Sequence, residues 1–305
     1  MVKTNPKIRA AGWSITTALT LGAAKLAVGL ATGSMAVIAS AVDSLLDILM
    51  SGVNFLAIRQ AEQPADSGHP FGHGKYETVA TLVQALIITI SGAWILYEAT
   101  RRLRVGAELT RVGGGIGILI AAAVVSWIIS RYLRRVALET DSSALRADSL
   151  HFAMDVYTNL ALMAGLVAVA LLQAPWLDPV LSILVALYIL HEALQLIRHG
   201  LRDILDVQLP EPMQAEITRL IEAHKGELVG FHNLRTRRAG SQKIMDFHLT
   251  VCKELTVEQA HAVTDRLEEQ IREQIPNADV IIHIEPCRRP DCPGREKCPD
   301  FGQGE

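Results

Sequence analysis

The sequence predicts a membrane protein of two domains, six transmembrane helices followed by a small cytoplasmic α+β domain. Half of the 305 residues are hydrophobic and the mean hydropathy is +0.26, which is too apolar for an ordinary soluble protein. The long apolar runs all precede Asp206, whereas the last third of the chain has the composition of a soluble domain. We therefore expect a membrane domain over residues 1–206 and a cytoplasmic domain over residues 207–305.

Six apolar stretches of about 20 residues, the length that crosses a bilayer, are separated by short polar or glycine-rich turns. The predicted spans are Trp13–Ala31, Met35–Ile58, Val79–Ala99, Ile116–Leu133, Leu145–Leu172 and Trp176–Ile197. The first span follows a short basic segment but is too long for a signal peptide, so we expect it to be retained. Lys and Arg concentrate in the loops on the side of the two termini, which predicts that both termini are cytoplasmic.

After Asp206 the sequence alternates between helical and strand periodicity. It predicts amphipathic helices and β-strands in the order Glu211–Lys225, Leu234–Arg238, Ile244–Val251, Val257–Gln274 and Val280–Ile284. This α-β-β-α-β order within about 80 residues is typical of a ferredoxin-like domain. The tail after Pro286 holds Cys287, Cys292 and Cys298 at a spacing that matches neither a disulfide framework nor a zinc finger, which favours a reducing compartment.

Ionisable side chains inside two of the predicted spans indicate function. Asp43 and Asp47 lie four residues apart in the second span, so they share one face of that helix. His151 and Asp155 repeat this spacing in the fifth span. A charge at mid-membrane costs roughly 2.5–3.5 kcal/mol, so such groups are functional candidates. Asp148, at the start of the fifth span, is instead expected to be a cap-region charge at the cytoplasmic surface.

Packed together, the two spans offer three carboxylates and one imidazole, a tetrahedral cage for a divalent metal. Oxygen ligands with one nitrogen suit Zn²⁺, and Cd²⁺, Fe²⁺ and Mn²⁺ are its competitors. His151 also titrates near neutral pH, as a metal-for-proton exchanger requires. The alternative interpretation is a buried polar cluster that only holds the helices together.

Two further groups of potential metal ligands lie outside the spans. Asp66, His69 and His73 fall within eight positions of the loop between the second and third spans. Three protein ligands leave one coordination position open, which favours an exchangeable site. The second domain contributes enough imidazole and carboxylate groups for one or two Zn²⁺ ions, namely His232, His248, His261, His283 and Glu285. The alternative for both groups is that the histidines are incidental surface residues.

The motifs that carry these residues resemble the cation diffusion facilitator family of divalent-metal/proton antiporters. They are VDSLLD at 42–47, FGHGK at 71–75, RADSLH at 146–151 and VIIH at 280–283, and the similarity extends from about residue 11 to residue 287. The resemblance implies that Asp43, Asp47, His151 and Asp155 form the transport site. It also implies that Asp66, His69 and His73, here called the loop trio, form a second site. It also implies that the four histidines of the second domain ligate a binuclear site at the interface of a homodimer. Glu285 stands where a close family member has Asp.

The family resemblance further implies an ion pair between Lys75 and Asp206 at a hinge between the domains. It implies a bacterial inner-membrane exporter of zinc, with cadmium or ferrous iron as further substrates, that works by proton antiport and alternating access. The expected partners are divalent cations, protons, the lipid bilayer and a second copy of the chain, with no organic cofactor. A formal net charge of −3 without a basic run argues against nucleic acid as a partner.

Two other functions use the same residues. An intramembrane metal-dependent hydrolase requires a general base beside the metal, and the sequence contains no His-Glu-x-x-His helix. A metal sensor that does not transport would explain the histidine-rich second domain but not the buried carboxylates.

Overall fold

The computed structural model describes residues 5–32, 35–105, 116–172, 176–224 and 227–288. These residues fall into two compact units, Met1–Leu201 and Arg202–Glu305.

The described part of the first unit contains six long helices, each of which overlaps one predicted span. They are α1 (Pro6–Thr32), α2 (Met35–Ala61), α3 (Lys75–Val105), α4 (Ile116–Thr140), α5 (Ser143–Leu172) and α6 (Leu177–Ile204). Among the described residues, Lys75–Val105 and Pro179–Ile204 are long and apolar enough to cross a membrane by length and composition. The helices run past the predicted spans because hydropathy marks only the lipid-matched segment, whereas backbone hydrogen bonding continues into the polar ends.

The central helix of this unit is α5, because it contributes to both apolar cores that the described residues form. One core joins it to α1, α2 and α4, with Ala10, Ile58, Leu133 and Phe152 fully or almost fully buried. The other joins it to α3 and α6, with Ile88, Leu150, Ile189 and Leu196 at its centre. Small residues permit this close packing. A Cβ added at Gly22 of α1, for example, would lie 3.2 Å from Ile48 Cδ1 of α2.

The second unit has the predicted α+β organisation, in the predicted order. Its elements are α7 (Glu211–Glu222), β1 (Gly230–Ala239), β2 (Gln242–Val251), α8 (Val257–Gln274) and β3 (Ala278–Pro286). The sheet order is β1-β2-β3, with β1 antiparallel to β2 and β2 parallel to β3. Strand β1 begins earlier than expected because the pairing is irregular between His232 and Arg235, which breaks the alternation that marks a strand in sequence.

One face of this sheet is covered by α7 and α8, and the opposite face of β2 carries Asp246, His248 and Thr250. The apolar core between sheet and helices includes Ile217, Leu220, Met245, Phe247, Leu249, Leu267 and Ile271. Helix α8 begins at a capping box in which Thr256 and Gln259 satisfy each other's backbone N–H groups. Because side chains alternate across a strand, His248, between Phe247 and Leu249, lies on the uncovered face.

Candidate metal sites

Helices α2 and α5 bring three of the four predicted intramembrane ligands together. Asp47, His151 and Asp155 each offer a ligand atom, and these atoms lie within 4.8 Å of one another. His151 Nε2 is 2.9 Å from Asp47 Oδ1, and the imidazole is buried while both carboxylates are partly buried. Zn²⁺ with ligands at 2.0–2.2 Å needs ligand atoms roughly 3.4 Å apart, so small side-chain adjustments suffice for a shared ion. The fourth predicted ligand, Asp43, is in α2, but its side chain lies outside the described part of the structure.

The structure corrects the expectation for Asp148, which is fully buried and not a surface cap charge. Gln84 Nε2 of α3 lies 3.5 Å from Asp148 Oδ1, and Asn54 Nδ2 of α2 donates to Gln84 Oε1 at 2.6 Å. These amides link three helices one turn from His151. The sequence carried a signal for this network, because Asn54 and Gln84 are polar residues inside apolar spans.

The loop between α2 and α3 brings the side chains of the three predicted ligands close together. Ligand atoms of Asp66, His69 and His73 lie within 4.8 Å of one another. The Asp66 carboxylate accepts the backbone N–H groups of His69 at 2.6 Å and Gly68 at 2.9 Å. The bond from His69 is the main cause that lowers the Asp66 pKa, so the group is ionised at neutral pH. Gly72 has φ 78°, which lets the chain turn towards His73, whose ring is almost fully buried.

In the second unit the strand register places three histidines in one row. His232 pairs with His248 across β1 and β2, and His248 pairs with His283 across β2 and β3. The ring centroids of neighbouring histidines are 5.0 Å and 4.8 Å apart. Because paired residues point to the same face of a sheet, the three imidazoles form one polar surface.

Glu285 joins this row from β3, two residues beyond His283. His248 Nδ1 lies 2.8 Å from Glu285 Oε1, and His232 Nε2 lies 3.4 Å from Oε2. The hydrogen bond with His248 lowers the Glu285 pKa, helped by the charges of the neighbouring imidazoles. His232, His248 and Glu285 offer ligand atoms within 4.8 Å, and His283 Nε2 is 3.9 Å from the same carboxylate.

Three further predicted residues, His261, Lys75 and Asp206, lie outside these ligand groups. His261 lies in α8, where its Nδ1 is 2.9 Å from Asp265 Oδ2, and both side chains are exposed. Its role as a ligand stays a prediction.

Lys75 begins α3 in the first unit, whereas Asp206 belongs to the second unit, where Arg237 Nη1 lies 3.4 Å from its Oδ1. The Lys75–Asp206 hinge pair also stays a prediction. Cys292 and Cys298 lie outside the described residues, and Cys252 and Cys287 are buried and form no disulfide within the described chain.

Two family models together match almost the whole described chain. Residues 13–205 match the cation efflux transmembrane domain, and residues 209–287 match the cytoplasmic domain of cation efflux proteins. The chain belongs to the cation efflux family. Membership confirms the resemblance carried by the sequence motifs, and it indicates a transmembrane transporter and not an enzyme.

Two bacterial cation-efflux pumps agree with this assignment. The cation-efflux pump FieF of Salmonella newport (strain SL254) and that of Salmonella typhimurium (strain LT2) are each 36% identical over 258 residues, which is 84% of this chain and 85% of the relative. A solved structure of a candidate zinc transporter, CzrB, is 36% identical, covers 26% of this chain and 98% of its own, and has a TM-score of 0.25.

Proposed function

We propose that this cation efflux protein exports divalent metal, with Zn²⁺ as its main substrate, in exchange for protons. The observation that carries the proposal is the meeting of Asp47, His151 and Asp155 between α2 and α5. Ionisable groups are costly in a membrane unless a ligand neutralises them. Two carboxylates and an imidazole match the donors that Zn²⁺ prefers, and a dication balances the charge of the two carboxylates.

Competition between metal and protons for the same atoms supplies the coupling. His151 and the carboxylates must be deprotonated to bind metal, so protons that reach the site from the opposite side of the membrane displace the ion. Alternating access of the site to the two sides, by movement of the helices around α5, then gives net antiport. In this proposal residues 1–206 form the transport domain, which crosses a bacterial inner membrane six times. Both termini of the chain lie on the cytoplasmic side of that membrane.

The direct test is metal flux into proteoliposomes loaded with a zinc-sensitive dye. With an imposed pH gradient, wild-type protein should accumulate Zn²⁺, and Asp47→Asn should reduce flux to that of protein-free vesicles. The matched control is Glu139→Gln, which also neutralises one helical carboxylate but at an exposed position on α4. Zinc flux that persists without a pH gradient, or in Asp47→Asn, would refute the mechanism.

Metal choice follows from the single nitrogen ligand. Imidazole favours Zn²⁺, Cd²⁺ and Fe²⁺ over Mn²⁺, whose preferred ligands are oxygen atoms. Competition by each ion for Zn²⁺ flux ranks them. We expect Mn²⁺ to compete least, and His151→Asp to narrow the difference between Mn²⁺ and Zn²⁺. Strong competition by Mn²⁺ in the wild type would contradict this assignment.

For residues 207–305 we propose a metal-dependent regulatory role in a homodimer. The row formed by His232, His248 and His283 with Glu285 lies on the sheet face opposite to the one that α7 and α8 cover. Zn²⁺ bound there, completed by His261 at the protomer interface, would tie two copies together, and the loop trio would hold a further ion. Light scattering of purified protein should show Zn²⁺-dependent dimers that His248→Ala weakens. A non-transporting sensor would show this effect without zinc flux.

A further inference from the structure

A cavity on the membrane domain is rich in positive charge. It lies between α4, α5 and α6, has a volume of about 410 Å³, and is lined by Arg131, Arg134 and Arg146. Within the ranges that the structure describes, none of these three guanidinium groups pairs with a carboxylate, and Glu192 is the acidic residue in the lining. Three positive charges against one negative charge favour an anionic ligand.

Aromatic side chains frame the same cavity. The Arg131 guanidinium carbon lies 5.1 Å from the centre of the Trp127 ring, and Tyr157 and Tyr188 stack edge to face with centroids 5.5 Å apart. Trp concentrates where the headgroups of a bilayer meet its hydrocarbon, which fits the position of Trp127 beside Arg131. Tyr157 lies deeper, about 16.5 Å along α5 from Arg146. The Ser130 hydroxyl donates to the Ser149 carbonyl at 2.7 Å, which holds α4 and α5 together at the base of the cavity.

An apolar groove continues from the arginines along α5 and α6. A second cavity of about 640 Å³ shares Tyr157, Leu160 and Tyr188 with the first, and is lined beyond them by alanine, leucine and valine side chains. From Arg146 to Leu160 the helix rises about 21 Å. Half of a bilayer's hydrocarbon core is about 15 Å thick, so the groove has the length of one lipid leaflet with its headgroup.

The groove is separate from the metal site although α5 forms part of both. Ala153, which lines the cavity, is about 200° around the helix from His151, so the two residues occupy opposite faces. Asp47 and Asp155 are likewise absent from the lining. Trp127, Leu160 and Tyr188 of the lining are 50%, 51% and 44% exposed, so the cavity opens on the outer surface of this helix bundle.

We propose that this groove binds one anionic phospholipid, with its phosphate on the three arginines and an acyl chain along α5 and α6. Guanidinium groups form paired hydrogen bonds with phosphate oxygens, and basic cavities between membrane helices on the cytoplasmic side are typical of sites for anionic headgroups. The arginines lie at the end of the helices near the α4–α5 turn, which the sequence predicts to face the cytoplasm. The lipid comes from that leaflet.

The test compares lipid binding to full-length delipidated protein in detergent by native mass spectrometry. Wild-type protein should bind phosphatidylglycerol at least about tenfold more tightly than phosphatidylcholine, and the triple variant R131Q/R134Q/R146Q should lose this preference. The matched control, R101Q/R102Q/R135Q, removes the same charge from arginines that pair with glutamates, and should keep the preference. Equal loss in the control, or no loss in the triple variant, overturns the proposal.

Two further arms separate the lipid from other occupants. Ala153→Trp fills the cavity without changing charge and should weaken phosphatidylglycerol binding by a similar factor. Glycerol phosphate, which has the anionic group but no acyl chains, should fail to displace the bound lipid. Displacement by glycerol phosphate would show a free-phosphate site, and disulfide cross-linking between two copies of a Trp127→Cys variant would show that a second copy covers the groove. Either outcome refutes the proposal.

Discussion

Replacing Lys7 by Met should destabilise the membrane domain, because it removes the positive charge from a buried ionic cluster. Lys7 of α1 lies 2.5 Å from Glu62 Oε1 and 3.7 Å from Glu77 Oε2, and the side chains of Lys7 and Glu77 are only 6% and 1% exposed. Ser142, before α5, also donates its hydroxyl to Glu77. The cluster thus connects α1, the end of α2, the start of α3 and the α4–α5 turn.

The magnitude follows from the burial of Glu77. Removing one partner of a buried ion pair costs about 3–5 kcal/mol, since the other charge stays desolvated. Proton uptake by Glu77 limits this penalty, because protonating an ordinary glutamate costs about 4 kcal/mol at pH 7 and about 1 kcal/mol at pH 5. We therefore expect Lys7→Met to lower the free energy of unfolding by about 3–4 kcal/mol at pH 7, and by much less at pH 5.

Denaturant unfolding of purified protein in mild detergent at the two pH values measures this effect. The double variant Lys7→Met/Glu77→Gln should recover most of the stability, because no buried charge remains at Glu77. Arg135→Met is the matched control, since its 2.7 Å pair with Glu139 is exposed and such pairs contribute about 0.5 kcal/mol or less. Equal losses for Lys7→Met and Arg135→Met, or a double variant no more stable than the single one, would refute the reasoning.

Three other predictions concern packing, the loop and the histidine row. Gly200→Ala should destabilise the protein by about 1–3 kcal/mol, because the added Cβ would lie 2.7 Å from Leu82 Cδ2. Gly117→Ala is the control in the same unfolding measurements, since a Cβ at that position meets nothing within 4 Å. Asp66→Ala should speed hydrogen exchange of the Gly68 and His69 backbone amides by roughly fivefold, because each amide loses a hydrogen bond that contributes about 1 kcal/mol. Unchanged exchange rates would contradict the structure. Zn²⁺ affinity at the histidine row should fall between pH 7 and pH 5 in calorimetric titrations, because protons compete with the metal for the imidazole nitrogens. Because the Glu285 pKa is lowered, its carboxylate stays ionised between pH 7 and pH 5 and takes up a proton only at a lower pH than an ordinary glutamate does. Glu285→Gln should therefore reduce the Zn²⁺ affinity by a similar factor at both pH values.

Local sequence patterns predicted the elements of the second domain well. Helix α8 spans the residues that its periodicity predicts, because the apolar stripe that marks it is a local feature. The first residues of strand β1 could not be predicted from local pattern, because the irregular pairing after His232 depends on the partner strand β2. The prediction for Asp148 is wrong for a related reason. Its burial depends on the amides of Asn54 and Gln84, which come from other helices.

The sequence by itself determined which side chains are available for metal: carboxylates and a histidine placed four residues apart within apolar helices, and histidines on strands. Helical and strand periodicity are local, so the face that each residue occupies could be read directly. Only the tertiary structure decided which of those faces meet. Packing of α2 against α5 joined Asp47 to His151, and strand register aligned three histidines with Glu285. Such contacts depend on chain segments as many as 104 residues apart, whose association is fixed by packing and not by local pattern.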